Sequence, residues 1–89
     1  MTDIDSTLVQ RGKTHGVFSR QAAVADTLRH TMACAHNWHG LSPEQREALT
    51  LIATKISRIL NGNPQVKDHW DDIAGYATLA ARSIDNHEI

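Results

Sequence analysis

Five charged side chains in the second half of the chain have the types and spacing that phosphate chemistry needs: Glu47, Lys55, Arg58, Asp68 and Asp72. Asp68 and Asp72 are four residues apart, which places both carboxylates on one face of a helix. Such a pair can hold Mg²⁺ together with water and substrate phosphates. Lys55 and Arg58 then contact phosphate oxygens, Arg58 through a bidentate pair and Lys55 as a point charge. Hydrolysis of a phosphoryl or nucleotidyl bond uses this combination of metal, acids and cations.

The same charges also have an explanation that involves no ligand. The helix dipole favours acidic residues in the first turn of a helix and basic residues in the last turn. Asp68, Asp71 and Asp72 fall near a predicted helix start, whereas Lys55 and Arg58 fall near a predicted helix end. Spacing and composition alone therefore leave a structural and a functional interpretation open.

Hydrophobic periodicity predicts an all-α fold. Three helices are expected, at about residues 19–35, 42–60 and 65–85. The second has the clearest start, because Ser42 can cap it, Pro43 suits its first position and Gln45 completes a capping box. Residues 1–16 show no sustained period and are interpreted as a flexible tail and loop. Residues 17–86 are expected to form a single helical domain.

The short connection between the second and third predicted helices favours an antiparallel hairpin. The hairpin would bring the cations of the second helix close to the acids of the third. Tyr76 lies one turn beyond Asp72, where its hydroxyl can join this polar group. Trp70 is predicted to lie in the core, and Gly75 indicates the close approach of another backbone.

Composition narrows the classes of function. The chain has 89 residues, a net charge of -1 and a pI of about 6.6, which disfavours nucleic acid as a partner. The single cysteine, Cys34, excludes an intrachain disulfide. The sequence lacks the ~20-residue apolar run of a membrane span and the apolar start of a secretory signal, so no membrane association and a cytoplasmic location are expected. Because so short a chain buries a small core, a homo-oligomer is expected.

The six histidines show no zinc-binding pattern. They are scattered along the chain, and none forms the i, i+4 pair that a helical zinc site favours. Surface histidines are the simpler interpretation.

Four segments together resemble a family of short phage and prophage proteins of unassigned function. They are residues 11–16 (RGKTHG), 47–49 (EAL), 55–60 (KISRIL) and 67–77 (KDHWDDIAGYA), and the most specific part is 72–76 (DIAGY). The resemblance extends over about residues 9–84. This family is in turn distantly similar to the MazG-type all-α nucleoside triphosphate pyrophosphohydrolases.

The resemblance implies an oligomeric bundle of helical hairpins that binds Mg²⁺ through acids on two adjacent helices and releases pyrophosphate from a nucleoside triphosphate. Carried over by position, the metal ligands are Glu47, Asp68 and Asp72, of which Glu47 and Asp72 are also the catalytic acids. Lys55, Arg58 and Tyr76 are expected to bind the substrate, and this expectation comes from their chemistry and spacing and not from the resemblance.

The second predicted helix departs from the MazG pattern. MazG-type enzymes carry an E-E-x-x-E cluster there, whereas this helix has Glu44 and Glu47, followed by Thr50, Leu51 and Thr54 where further acids would help. Two functions therefore stay open. One is nucleotide binding with Mg²⁺-dependent hydrolysis to monophosphate and pyrophosphate, and the alternative is a non-catalytic helical oligomer that acts as a protein-interaction adaptor or inhibitor. A helix-turn-helix repressor is disfavoured, since no predicted helix is basic.

Overall fold

A computed structural model describes residues 2–85 and shows four α-helices joined by short connections. The helices are α1 (Thr2–His15), α2 (Phe18–Ala33), α3 (Pro43–Asn61) and α4 (Lys67–Ile84), and a 3-10 turn, Trp38–Gly40, precedes α3. The described residues contain no β-strand, so the predicted all-α class is confirmed. The predicted number of three helices is wrong. Within residues 2–85, no helix combines the length and the apolar character needed to cross a bilayer.

The additional helix, α1, lies in the segment that was predicted to be a tail and loop. Acidic residues in its first turn and basic residues in its last turn suit the helix dipole. Gly12 interrupts the hydrophobic period of its sequence, and the apolar residues Ile4 and Leu8 are more than half exposed. Burial in α1 begins only at Thr14 and His15, near the point where the helix reaches the end of α3. Periodicity could not reveal a helix that packs through one end.

The start of α3 contains the capping box that the sequence predicts. The Gln45 backbone N–H donates to Ser42 Oγ at 3.1 Å, and the Ser42 backbone N–H donates to Gln45 Oε1 at 2.9 Å. Pro43 occupies the first helical position, where a missing N–H removes no helical hydrogen bond. The capping box fixes the residue at which α3 begins. Farther along this helix, Lys55 is ion-paired with Asp72 of α4, and Arg58 lines a groove together with residues of α1.

The core is centred on α3, which packs against both α2 and α4. Its buried residues are small, namely Ala48, Ala53 and Ser57, and they are joined by Ala25 of α2. Small side chains allow close helix packing but remove little apolar surface from water. The Ser57 hydroxyl donates to the Thr54 carbonyl at 2.7 Å, so this fully buried polar group is satisfied within α3.

Two expectations for α4 are wrong. Trp70 is 53% exposed rather than buried, and its indole N–H donates to the Pro64 carbonyl at 2.8 Å. The neighbouring His69 is buried instead, because the buried face of α4 near its start is rotated by one residue. The close backbone approach expected at Gly75 is absent, since a Cβ at that position would meet no atom within 4 Å.

Close backbone contact occurs at two other glycines, Gly16 and Gly62, which we call the glycine junction. Gly16 has a φ of 84°, and a Cβ there would collide with the Asn61 carbonyl. A Cβ at Gly62 would collide with the backbone at the end of α1. The Asn63 N–H also donates to the Thr14 carbonyl at 3.0 Å. The junction therefore holds the end of α1 against the connection between α3 and α4.

Candidate functional site

Basic and imidazole side chains from three helices gather next to the glycine junction. We call Arg11, His15, Lys55, Arg58 and His69 the basic centre. The first two come from α1, the next two from α3 and the last from α4. One carboxylate, that of Asp72, lies beside them. Of the three permanently cationic side chains, Lys55 is the one that is ion-paired with this carboxylate.

The carboxylate of Asp72 joins α4 to α3 through an ion pair with Lys55. Its Oδ2 lies 2.8 Å from Lys55 Nζ, and the Lys55 side chain is only 14% exposed. The hydrogen bond from Lys55, followed by the Lys55 charge, holds the pKa of Asp72 below its ordinary value. Asp72 is therefore ionised at neutral pH. The predicted approach of Lys55 to Asp72 is confirmed, and the pair leaves Arg11 and Arg58 without this carboxylate as an ion-pair partner.

Two histidines connect α1 with α4. The ring centroids of His15 and His69 are 5.2 Å apart, and the ring planes are tilted by 50°. His69 Nε2 lies 3.2 Å from the Thr14 carbonyl oxygen, and because a carbonyl can only accept, Nε2 carries the proton. Burial, followed by the positive charge of Arg58, lowers the pKa of His15 to about 4. His15 is therefore neutral at pH 7.

Arg58 contributes a polar atom that its surroundings do not satisfy. Its Nε is buried and has no hydrogen-bond partner among the described residues. A buried donor without a partner costs about 1–3 kcal/mol, and more when the group is charged. Arg58 lines an open groove of about 410 Å³ together with Arg11 and His15. A guanidinium in this place can donate to an anion that enters the groove.

We call this cavity the α1 groove, and its remaining wall is largely apolar. Leu8, Val17 and Phe18 contribute to the lining, and Phe18 is 76% exposed. Gly12 and Gly16 also line the groove, and a Cβ at Gly12 would meet no atom within 4 Å. The α1 groove is therefore lined both by the cations Arg11 and Arg58 and by an exposed aromatic residue, Phe18.

Comparison with known protein families identifies the family of this chain. A protein-family model described as "Domain of unknown function (DUF6378)" matches residues 5–84. The chain belongs to this family. The matched region of the DUF6378 domain extends from α1 to the end of α4, so it includes every residue of the basic centre. No curated protein and no solved structure matches the chain.

The site residues predicted for this DUF6378 domain fall in two groups. Lys55, Arg58 and Asp72 meet at the basic centre. Glu47 and Asp68 are exposed, and Tyr76 is half-buried on α4. Within residues 2–85, no three His, Cys, Asp or Glu side chains are arranged to hold a metal ion. The assignment of Glu47, Asp68 and Asp72 as Mg²⁺ ligands stays a prediction.

Sequence reasoning did not assign Arg11, His15 and His69 to the site. Arg11 and His15 belong to the glycine-containing run RGKTHG. The basic residues of this run could have indicated an anion-binding role. Its partner in space could not be read from the sequence, because Thr14 and His69 are 55 residues apart. The glycines of that run predict a loop, whereas Gly12 lies inside α1.

Proposed function

We propose that this DUF6378 protein is a MazG-like nucleotide-binding protein, and that the basic centre holds the phosphates of a nucleoside triphosphate. The observation that carries the proposal is the buried Nε of Arg58, which has no partner among the described residues. A phosphate oxygen accepts from guanidinium N–H groups in a bidentate geometry. Arg11 lines the same groove and would add a second cation to the bound phosphates.

Three further features support this proposal. Lys55 is held by Asp72, so its ammonium is positioned rather than free to rotate in solvent. His15 is neutral at pH 7 and can hydrogen-bond a phosphate without a desolvated charge of its own. The resemblance of about residues 9–84 to phage and prophage proteins, and through them to MazG-type enzymes, points to the same class of ligand. An antiparallel α3–α4 hairpin, which that class uses, is part of the proposal.

Hydrolysis is the second part of the proposal and rests on the resemblance alone. Mg²⁺ would supply a Lewis acid for the phosphates. Because the described acids do not converge as a group of three, we derive no catalytic step from them. Release of pyrophosphate from ribo- and deoxynucleoside triphosphates, with Mg²⁺ or Mn²⁺, tests this part. If no turnover occurs with any of them, the hydrolysis part is wrong, and the binding part depends on the affinity measurements alone.

The binding proposal is tested with Arg58→Gln, which removes the guanidinium and keeps a polar side chain. We expect its affinity for a nucleoside triphosphate, measured by calorimetry, to fall at least tenfold, which corresponds to about 1.4 kcal/mol. Arg82→Gln is the matched control, because Arg82 is an exposed arginine in the last turn of α4. Circular dichroism establishes that both variants fold, and Arg58→Lys separates loss of charge from loss of geometry. Equal affinity of wild type and Arg58→Gln, or no binding at millimolar nucleotide, contradicts the proposal.

A second candidate function is favoured by exposed apolar surface. Ile4, Leu8 and Val9 of α1 are each more than half exposed, and the buried apolar residues within the described chain are three alanines. A non-catalytic helical oligomer acting as an adaptor or inhibitor would cover such surface. It predicts a melting temperature that does not respond to nucleotide, whereas the nucleotide-binding proposal predicts a rise.

A further inference from the structure

The α1 groove continues from the basic centre to an exposed aromatic ring. Arg11, His15 and Arg58 belong to the basic centre and also line the groove, so a phosphate bound at Arg58 lies next to the groove. Phe18 lines the same groove. A ligand that carries both phosphates and a planar group matches this lining.

We propose that the α1 groove binds the nucleoside part of the nucleotide and that the base stacks on Phe18. The inference rests on the proposed function, because it takes the phosphates to lie on the basic centre. It goes beyond that function because it names the part of the protein that distinguishes a nucleotide from an inorganic polyphosphate. Residues of α1 and the start of α2 then decide which phosphate compound binds.

The exposure and position of Phe18 support a stacking role. The side chain is 76% exposed, although a ring of this size normally gains by burial. Phe18 is the first residue of α2, and the adjacent backbone is fixed because the N–H groups of Arg20 and Gln21 donate to the Val17 carbonyl at 3.1 and 3.0 Å. An aromatic ring on a rigid backbone stacks with any base, because each base has a π-face.

The size and polarity of the groove also suit a nucleoside. Its volume of about 410 Å³ lies within the range of small-molecule sites, ~300–1,000 Å³. Gln21 lines the groove and is buried, and its amide offers both donors and an acceptor to the edge of a base. The combination of cationic, amide and aromatic groups favours a nucleotide over an apolar ligand or a peptide segment.

The test compares ATP with inorganic tripolyphosphate, which carries a similar charge and no nucleoside. In calorimetry without added metal, we expect wild type to bind ATP at least tenfold more tightly than tripolyphosphate. Phe18→Ala should lose that preference and leave tripolyphosphate binding unchanged, while Phe18→Trp should retain it. Leu60→Ala is the matched control, since Leu60 is an exposed apolar residue at the end of α3, outside the groove.

The outcomes separate the inference from the proposed function. If both ligands bind through Arg58 and Phe18→Ala changes neither affinity, the inference is overturned and the proposed function stands. If neither ligand binds, both are overturned. If Phe18→Ala dissociates an oligomer without changing ATP affinity, the groove is an interface between copies of the chain, and the inference is again overturned.

Discussion

At the residue scale, the fold changes the titration of His15. Burial and the charge of Arg58 lower its pKa from 6.5 to about 4, so the folded state favours the neutral ring. The unfolded chain binds a proton at this residue below about pH 6.5. Stability rises with pH wherever the unfolded state binds more protons. The stabilising contribution of neutral His15 is therefore complete above pH 6.5 and is lost progressively as the pH falls to about 4.

We predict that the free energy of unfolding falls between pH 6.5 and pH 4, and that His15→Gln reduces this dependence. Urea unfolding at intervals across the range measures the effect. His39→Gln is the control, because His39 is an exposed histidine on the 3-10 turn. An NMR titration in which the folded His15 ring protonates near pH 6.5 would show that the environment does not disfavour its charge.

The residues of the basic centre differ in how far the sequence could predict them. Lys55, Arg58 and Asp72 were predicted because helical phasing and a short connection relate neighbouring elements. His15 and His69 were missed because their contact depends on how α1 packs against α4. Helical phasing shows which residues share a face of one helix, but it does not show which faces of two helices meet. The spacing of charged residues predicts contacts between neighbouring helices, but it does not predict contacts between segments that are far apart in the sequence.

At the element scale, substitution of glycine by alanine is expected to have opposite effects on stability at Gly16 and at Gly75. Gly16→Ala should destabilise the protein by about 1–2 kcal/mol for its left-handed backbone alone, and by more because the new Cβ meets the Asn61 carbonyl. Gly75→Ala should stabilise it by about 0.5–1 kcal/mol, because Gly75 is an exposed residue inside α4 with open space around it. Chemical denaturation of both variants measures these changes. A neutral Gly16→Ala would mean that the junction does not depend on close backbone contact.

How well the sequence predicts a helix depends on whether the interactions that fix the helix are local in the sequence. The start of α3 depends on Ser42, Pro43 and Gln45, which are close together in the sequence and act locally. The phase of α4 was less accurate, because Trp70 is held outward by its bond to the Pro64 carbonyl while His69 turns inward to the Thr14 carbonyl. Both interactions use polar atoms that a hydrophobic pattern does not register.

At the scale of the whole molecule, apolar surface stays uncovered between α3 and α4. Leu49 lies on a shallow groove of about 320 Å³ that includes Ala77 and Ala80. Because the described core buries only small apolar side chains, covering this groove with a second copy would add apolar burial that the single chain lacks. The homo-oligomer stays a prediction from this energetic argument.

We predict a melting temperature that rises with protein concentration, since association stabilises the folded state by mass action. Leu49→Glu should remove the concentration dependence, while Leu60→Glu at the exposed end of α3 should leave it in place. Sedimentation velocity measures the size of the species directly. A monomer whose melting temperature is the same at all concentrations contradicts the prediction.

The Thr14 carbonyl accepts from the Asn63 N–H of the α3–α4 connection and from the His69 ring of α4. The Asn63 amide is thus bonded to α1 instead of to its own segment, and it can exchange with solvent deuterium when α1 opens. Its exchange rate reports how often that opening occurs. Since α1 forms a wall of the groove beside Arg58, an occupant that bridges the two sides would slow the exchange of this one amide, whatever its chemical identity.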